Sequence, residues 1–232
     1  FRSNALTREM YSKMAQAYSK LDQDDNLWVG VVYANGPHFT SGLELTDWTD
    51  LFSGGAGFTV DAKNEIDPFY MVNEKRCSKP IIFAVQGYCY TWGVEMMLNA
   101  DIRVAASDTR FGQLEVLRGF FPCGGGTIRL ARDIGWSNAM RYLLTGDQWN
   151  AEDAYRMGLV QHVTEPGKQL EKAMELAGRV ASAAPLGVRN ILKSGRLAET
   201  QGEQAAKKVI FQDLVEVMKS EDMKEGLQSF IE

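Results

Sequence analysis

Residues 79–130 limit what this chain can fold into more than any other stretch: KPIIFAVQGYCYTWGVEMMLNADIRVAASDTRFGQLEVLRGFFPCGGGTIRL. Residues 81–85 (IIFAV) are apolar without alternation, as a strand hidden inside a parallel sheet must be. That run enters a turn rich in glycine and aromatics, GYCYTWG, which opens a short helix carrying Glu95. A second strand region ends at Phe111-Gly112-Gln113-Leu114-Glu115, ahead of a loop closed by Gly124, Gly125 and Gly126. Strand, turn, helix and strand in that order require an α/β layering. Two carboxylates, Glu95 and Glu115, fall just past glycine-containing turns.

The flanking segments fit the same class. Apolar residues at Leu6, Met10, Met14, Tyr18 and Leu21 recur on one helix face. Thr7 suits the N-cap, and Leu6 and Tyr11 suit a hydrophobic staple. Residues 27–33 (LWVGVVY) read as a second strand buried on both faces. Residues 53–68 show no period and read as a surface loop or lid, residues 69–77 as a helix closed by Lys79-Pro80. Residues 133–144 and 151–157 read as helices, with Asn150 capping the second and Gly158 stopping it. A short strand is expected at 159–164, then helices at 168–183, 186–194, 201–219 and from 221, broken at 183–185 and at Ser194-Gly195. The resulting division is a mixed core at 1–165 and a helical region at 166–232. No internal repeat stands out. The opening FRSNALT has neither a Met nor a lead-in strand, and a strand ahead of Phe1 is expected.

Composition narrows the function classes. The 232 residues carry a net charge of −5, which leaves no cationic excess to replace phosphate counterions, so nucleic acid is not an expected partner. With no run of 18 apolar residues, no membrane span is expected, and a cytoplasmic protein is the reading. Three cysteines (Cys77, Cys89, Cys123) without CxxC spacing read as reduced thiols and not as a zinc site. No metal is expected.

Several residues could carry chemistry. Glu95 in a first helical turn can be structural, favoured by the helix dipole, and Glu115 alone can be a surface charge. Together, at strand ends where α/β sites gather, they resemble a pair in which one acid handles a water and the other a proton. Gly42 and Gly93 leave nearby peptide N–H groups free to meet a carbonyl oxygen, although each also serves as a plain turn. His38 lies near the first of these loops, and a solvated loop histidine is its plainer reading. The triple glycine before a helix could cradle phosphate or simply turn the chain. GxSxG, Walker A and HExxH motifs are all missing.

These residues also resemble a family. Asn4-Ala5-Leu6, the F-T-S-G-L-E-L of residues 39–45, the K-P…G…G-x-E…D-I of residues 79–102, F-G-Q-L-E at 111–115, G-G-T-I-R-L at 125–130 and L-T-G at 144–146 with Ala151, Ala154, Gly158, Leu159 and Val160 occur in order. The chain thereby resembles the crotonase (enoyl-CoA hydratase/isomerase) superfamily along nearly its whole length. The resemblance implies a ClpP/crotonase-like spiral of ββα units with a helical C-terminal region that trimerises, as a trimer or a dimer of trimers. It implies an acyl-CoA thioester as substrate, with coenzyme A part of the substrate and no separate cofactor.

Carried over by position, the oxyanion donors fall on the backbone N–H groups of Leu43 and Trp92, and the two hydratase acids on Glu95 and Glu115. The implied reaction is hydration of a 2-enoyl-CoA, a lyase activity. Isomerase, thioester hydrolase, CoA-independent β-diketone C–C hydrolase and a non-catalytic binding trimer stand as alternatives. Trp92 replaces a family glycine, Thr46 a frequent basic residue, and Cys123 part of a Pro-Gly. The pocket is therefore expected to be aromatic and narrowed, with His38, Tyr88, Tyr90 and Cys123 in it and the Trp92 indole beside the acyl group.

Overall fold

The apolar run at 81–85 lies where it can be hidden on both faces, inside a parallel sheet. The structure, a computed structural model, describes residues 3–54, 65–72 and 75–221, together with 223, 225 and 228. In chain order the elements are α1 (Arg8–Gln23), β1 (Gly30–Tyr33), α2 (Thr49–Gly54), β2 (Ile81–Val85), β3 (Tyr88–Tyr90), α3 (Trp92–Met97), β4 (Ile102–Ala106) and β5 (Arg110–Gly112). A 3-10 turn at Glu115–Arg118 precedes α4 (Gly126–Ile134), α5 (Trp136–Thr145), β6 (Gln148–Asn150), α6 (Ala151–Arg156) and β7 (His162–Thr164). Helices α7 (Gln169–Ala181), α8 (Pro185–Gln201) and α9 (Glu203–Met218) follow.

Strands β1-β2-β4-β7 form an all-parallel sheet in that order. A second sheet runs β3-β5-β6, with β3 and β5 parallel and β6 antiparallel. Every residue of β2 is buried. Side chains alternate across a strand, so Ile81, Phe83 and Val85 enter the main core while Ile82 and Ala84 meet Ala173, Leu176 and Ala177 of α7 on the other side. Successive turns of chain thus give one strand to each sheet, β2 then β3, and β4 then β5. An earlier turn does the same in reduced form: β1 joins the first sheet, and Thr40 bridges Cys89 of β3 in the second. The repeat expected of a ββα spiral is present in space without self-similarity in sequence.

Helix α1 begins as expected, with Thr7 Oγ1 accepting the Met10 N–H at 3.1 Å and Leu6 and Tyr11 both in the core. Its buried stripe runs Tyr11, Ala15, Tyr18, with Met10 and Met14 only half-buried at its margin. Four expectations need correction. Strand β1 is the edge of its sheet and is half-buried, not hidden on both faces. Residues 69–72 and 75–77 are not helical. Asp67 takes the N–H groups of Phe69, Met71 and Val72 onto its carboxylate, an alternative to the helical ladder that short acidic side chains offer. The helix expected over 133–144 is two helices parted at Gly135 (φ +80°). Conversely, α8 runs straight through Ser194-Gly195 and stops at Gly202, whose φ is +87°. Most of the expected lid, residues 55–64, lies outside the described residues, as does much of the piece from 221. Helix α7 packs on the parallel sheet, whereas α8 buries none of its residues.

Asp67 anchors more than its own turn. It is fully buried and also accepts the Tyr11 hydroxyl at 3.0 Å. Asp67→Ala takes the acceptor from four donors, of which the Tyr11 hydroxyl and the Phe69 N–H are buried, and is expected to cost about 2–4 kcal/mol of stability. Urea unfolding of the two proteins checks this, and a difference within error would mean that the turn forms without the carboxylate.

Candidate active site

Loops leaving the second sheet converge on a cavity of about 630 Å³ whose charged lining residues are Glu95, Glu115 and Arg118. Leu43, Leu45, Trp92, Leu114, Phe120 and Cys123 contribute to the rest of the wall. Glu95 and Glu115, each 4% exposed, follow β3 and β5, the second strands of successive turns of the spiral.

Glu95 Oε1 accepts the N–H groups of Gly124 at 2.7 Å and Gly126 at 3.0 Å. The glycines are required there. A Cβ on Gly124 would stand 2.9 Å from Glu95 Oε2 and from Phe69, and Gly125 has φ +108°. Arg129, just inside α4, donates to the carbonyls of Phe69 at 2.8 Å and Tyr70 at 3.0 Å, which fixes the segment packed beside those glycines. The triple glycine turns the chain into α4 and in addition offers amides that grip the Glu95 carboxylate. Glu115 is met by Gln113, whose side-chain NH2, turned toward it, lies 3.0 Å from both carboxylate oxygens. The opposite turn would put the amide carbonyl there instead, where a protonated Glu115 can donate to it. Neither Gln113 nor the glycine clamp was singled out from sequence as a partner of the acids, because both depend on contacts between separate turns.

Burial raises both carboxyls well above their ordinary value. Glu95 is pushed up to about 7, with the two glycine N–H groups and Arg129 pulling the other way. Glu115 is pushed up to about 8 by burial and then by the negative charge of Glu95. Burial, then the two glutamates, lift the Cys123 thiol to about 11, so it stays protonated and is a poor nucleophile. The two acids titrate as a pair. Glu95, holding two N–H donors, is the member stabilised as carboxylate, and Glu115 is the member that keeps a proton near neutrality.

The backbone completes the site. Leu6 and Leu43 form a parallel bridge in which the Leu6 N–H donates to the Gly42 carbonyl and the Glu44 N–H to the Leu6 carbonyl. This turns the N–H of Leu43 away from Leu6, and among the described residues no protein acceptor meets it. Trp92 is the first residue of α3, so its N–H lacks a helical partner. Thr91 before it has φ +49° and ψ −114°, a region that β-branched residues avoid. Its conformation is held by its N–H on the Gly112 carbonyl, at 2.8 Å.

The structure therefore brings Leu43, Trp92, Glu95, Glu115 and Cys123 to one cavity, and it places the other expected pocket residues elsewhere. Tyr88 and Tyr90 share one face of β3 by strand alternation, opposite the buried Cys89. Their rings stack 4.9 Å apart, and His38 stacks on Tyr88 at 4.1 Å. His38 Nδ1 accepts the Tyr88 N–H, and the Tyr90 hydroxyl donates to Gln148. None of these three lines the cavity. Trp92 lines the cavity, and its side chain is 4% exposed, packed against Phe39 and Phe69, and leaves the cavity open.

Fold and site together define an α/β spiral protein with two buried carboxylates facing one apolar cavity. The family model for enoyl-CoA hydratase/isomerase matches residues 2–232, and the chain belongs to that family of enzymes. It is 36% identical to the enoyl-CoA hydratase EchA19 of Mycobacterium tuberculosis, over 99% of this chain and 86% of the relative. It is 37% identical to a crotonyl-CoA hydratase of Syntrophomonas wolfei, over 99% and 87%. Among solved structures, a probable enoyl-CoA hydratase/isomerase from Mycobacterium abscessus superposes with a TM-score of 0.94 at 39% identity, covering 99% of this chain and 88% of that one.

The raised carboxyls bear on stability. Both bind protons more tightly in the folded chain than at the ordinary value of 4.5, so the folded state holds more protons between about pH 4.5 and 8. The stability tied to those protons is complete below the ordinary value and is lost as pH rises through that window. Glu115→Gln removes its share, and its unfolding free energy at about pH 8.5 should exceed wild type by roughly 1–3 kcal/mol, with little difference at about pH 4. Urea titrations at the two pH values check this. A wild-type stability that is flat across the window would contradict the burial of the pair.

Proposed function

We propose that this enzyme is an enoyl-CoA hydratase that adds water to a 2-enoyl-CoA. The observation that carries the reading is the presence of two carboxyls in unlike settings on one cavity, since hydration needs one group for the water and one for the α-carbon. The thioester carbonyl accepts the N–H groups of Leu43 and Trp92, which stabilise the charge that develops on its oxygen. Glu95 as carboxylate orients a water and takes one of its protons as the oxygen bonds to the β-carbon. The π pair moves toward the thioester as an enolate, and Glu115 delivers its proton to the α-carbon. One water is added in all, and a proton passing from Glu95 back to Glu115 resets the pair. Coenzyme A enters as part of the substrate, and no separate cofactor or metal has a step in this scheme.

The same reading includes self-association into a trimer or a dimer of trimers through the C-terminal helices. Ile191 on α8 and Phe211 on α9 are 73% and 76% exposed, with Leu214, Val215 and Met218 beside the latter on α9, an amount of bare apolar surface that points to a partner. No helix among the described residues is long and apolar enough to cross a membrane, and a cytoplasmic location is part of the proposal.

Glu115→Gln and Glu95→Gln are each expected to lower kcat on crotonyl-CoA by about 10²–10⁴, with KM changed by less than roughly threefold. Loss of the conjugated thioester absorbance measures the rate. Failure of the wild-type protein to hydrate any member of a 2-enoyl-CoA panel would sink the hydratase reading, and products from 3-enoyl-CoA or released free CoA would identify an isomerase or a thioester hydrolase. Phe211→Asp should convert the assembly to monomers in analytical ultracentrifugation. A monomeric wild type would remove the trimer.

A further inference from the structure

We infer that the Trp92 indole is a positioning residue that sets the direction of the Leu43 N–H, so that this one residue controls both donors of the proposed oxyanion site. The inference rests on the hydratase reading for its chemistry, but its geometry stands apart from it. The peptide joining Gly42 to Leu43 is trans, so its carbonyl and its N–H point to opposite sides. The Gly42 carbonyl accepts the Trp92 Nε1–H at 2.7 Å and the Leu6 N–H at 2.8 Å. Held from that side by these two donors and, at 3.4 Å, by the Thr40 hydroxyl, the peptide must present its N–H the other way, toward the cavity that Leu43 and Trp92 both line.

Three further observations make this a rigid arrangement. The indole is buried between Phe39 and Phe69, with both ring centroids 6.3 Å away, so it cannot follow a swing of the loop. Gly42 has φ +115°, and a Cβ there would stand 2.7 Å from Thr91 Oγ1, so residue 91 closes the remaining side of the same peptide. A carbonyl that accepts strong hydrogen bonds also makes the N–H of its own peptide a better donor, as linked hydrogen bonds polarise one another. The donor is thereby aimed and strengthened before any ligand arrives, which is the condition for electrostatic preorganisation. The strained backbone at Thr91 has a place in this account, since it is what brings the next residue's indole under the Gly42 carbonyl.

The test is Trp92→Phe. It deletes the indole N–H, keeps the backbone N–H and an aromatic ring in the same packing, and leaves the Gly42 carbonyl its bond from Leu6. The expected result is a fall of about tenfold in kcat on crotonyl-CoA with KM within roughly twofold of wild type. The red shift in the ultraviolet spectrum of bound hexadienoyl-CoA, which reports polarisation of the thioester carbonyl, should shrink, while the melting temperature should move by only a few degrees. An unchanged kcat and an unchanged spectral shift would overturn the proposal, as would a loss of activity matched by equal losses in substrate affinity and thermal stability. If wild type hydrates no enoyl thioester, the functional reading has failed by itself, and the spectral shift then decides the tether: reduced in the variant it stands, equal in both it falls.

Discussion

The contact on which the site depends is the one between the Glu95 carboxylate and the amides of Gly124 and Gly126. It joins the helix that follows β3 to the start of the helix that follows β5, so it ties one turn of the spiral to the next. It also acts on the state of the acid, against the effect of burial. A carboxylate taken out of water without partners would take up a proton, and two peptide donors on one oxygen oppose that. Any side chain at position 124 would collide with the same carboxylate. Packing, glycine requirement and charge are here three consequences of a single pair of hydrogen bonds.

The spiral explains how residues so far apart in sequence meet. In each turn the chain crosses the parallel sheet, then the second sheet, then bends outward. Leu43 follows Thr40, Trp92 follows Tyr90, and Glu115 follows Gly112, each shortly after its own step in the second sheet. Equivalent bends of successive turns stack, so each turn delivers one group to the same side. Arg129 secures the segment beside the glycine clamp by holding the carbonyls of Phe69 and Tyr70, on a path that Asp67 determines.

Much of this was legible in the residues. The unbroken run at 81–85 specifies a buried strand, Thr7 and Asn150 are caps in the structure as in the sequence, and the ordered motifs name the family. The failures have physical causes. Residues 27–33 have the apolarity of an inner strand but stand at a sheet edge, and sequence does not say which neighbour is missing. The pattern at 69–77 is compatible with a helix until Asp67 competes for its amides. Gly135 ends a helix while Gly195 does not, since a glycine allows a positive φ without requiring it. Tyr88 and Tyr90 were misplaced for a reason that strand alternation could have supplied, because a pair two apart must share a face and Trp92 does not continue that strand. The glycine clamp and the Gln113 contact join separate turns, and no local pattern announces them.

The two carboxyls illustrate why position alone underdetermines chemistry. They are equally buried, yet one is met by two fixed peptide donors and the other by a side-chain amide that can present either end. A fixed donor favours one charge state. An amide that can turn serves both, donating to a carboxylate or accepting from an acid. In the proposed reaction both acids exchange a proton in every cycle, Glu95 entering it ionised and Glu115 entering it protonated. The rigid clamp therefore belongs with the first and the adaptable partner with the second. The proposed division of roles rests on how each acid is hydrogen-bonded, and the sequence spacing between them carries none of it.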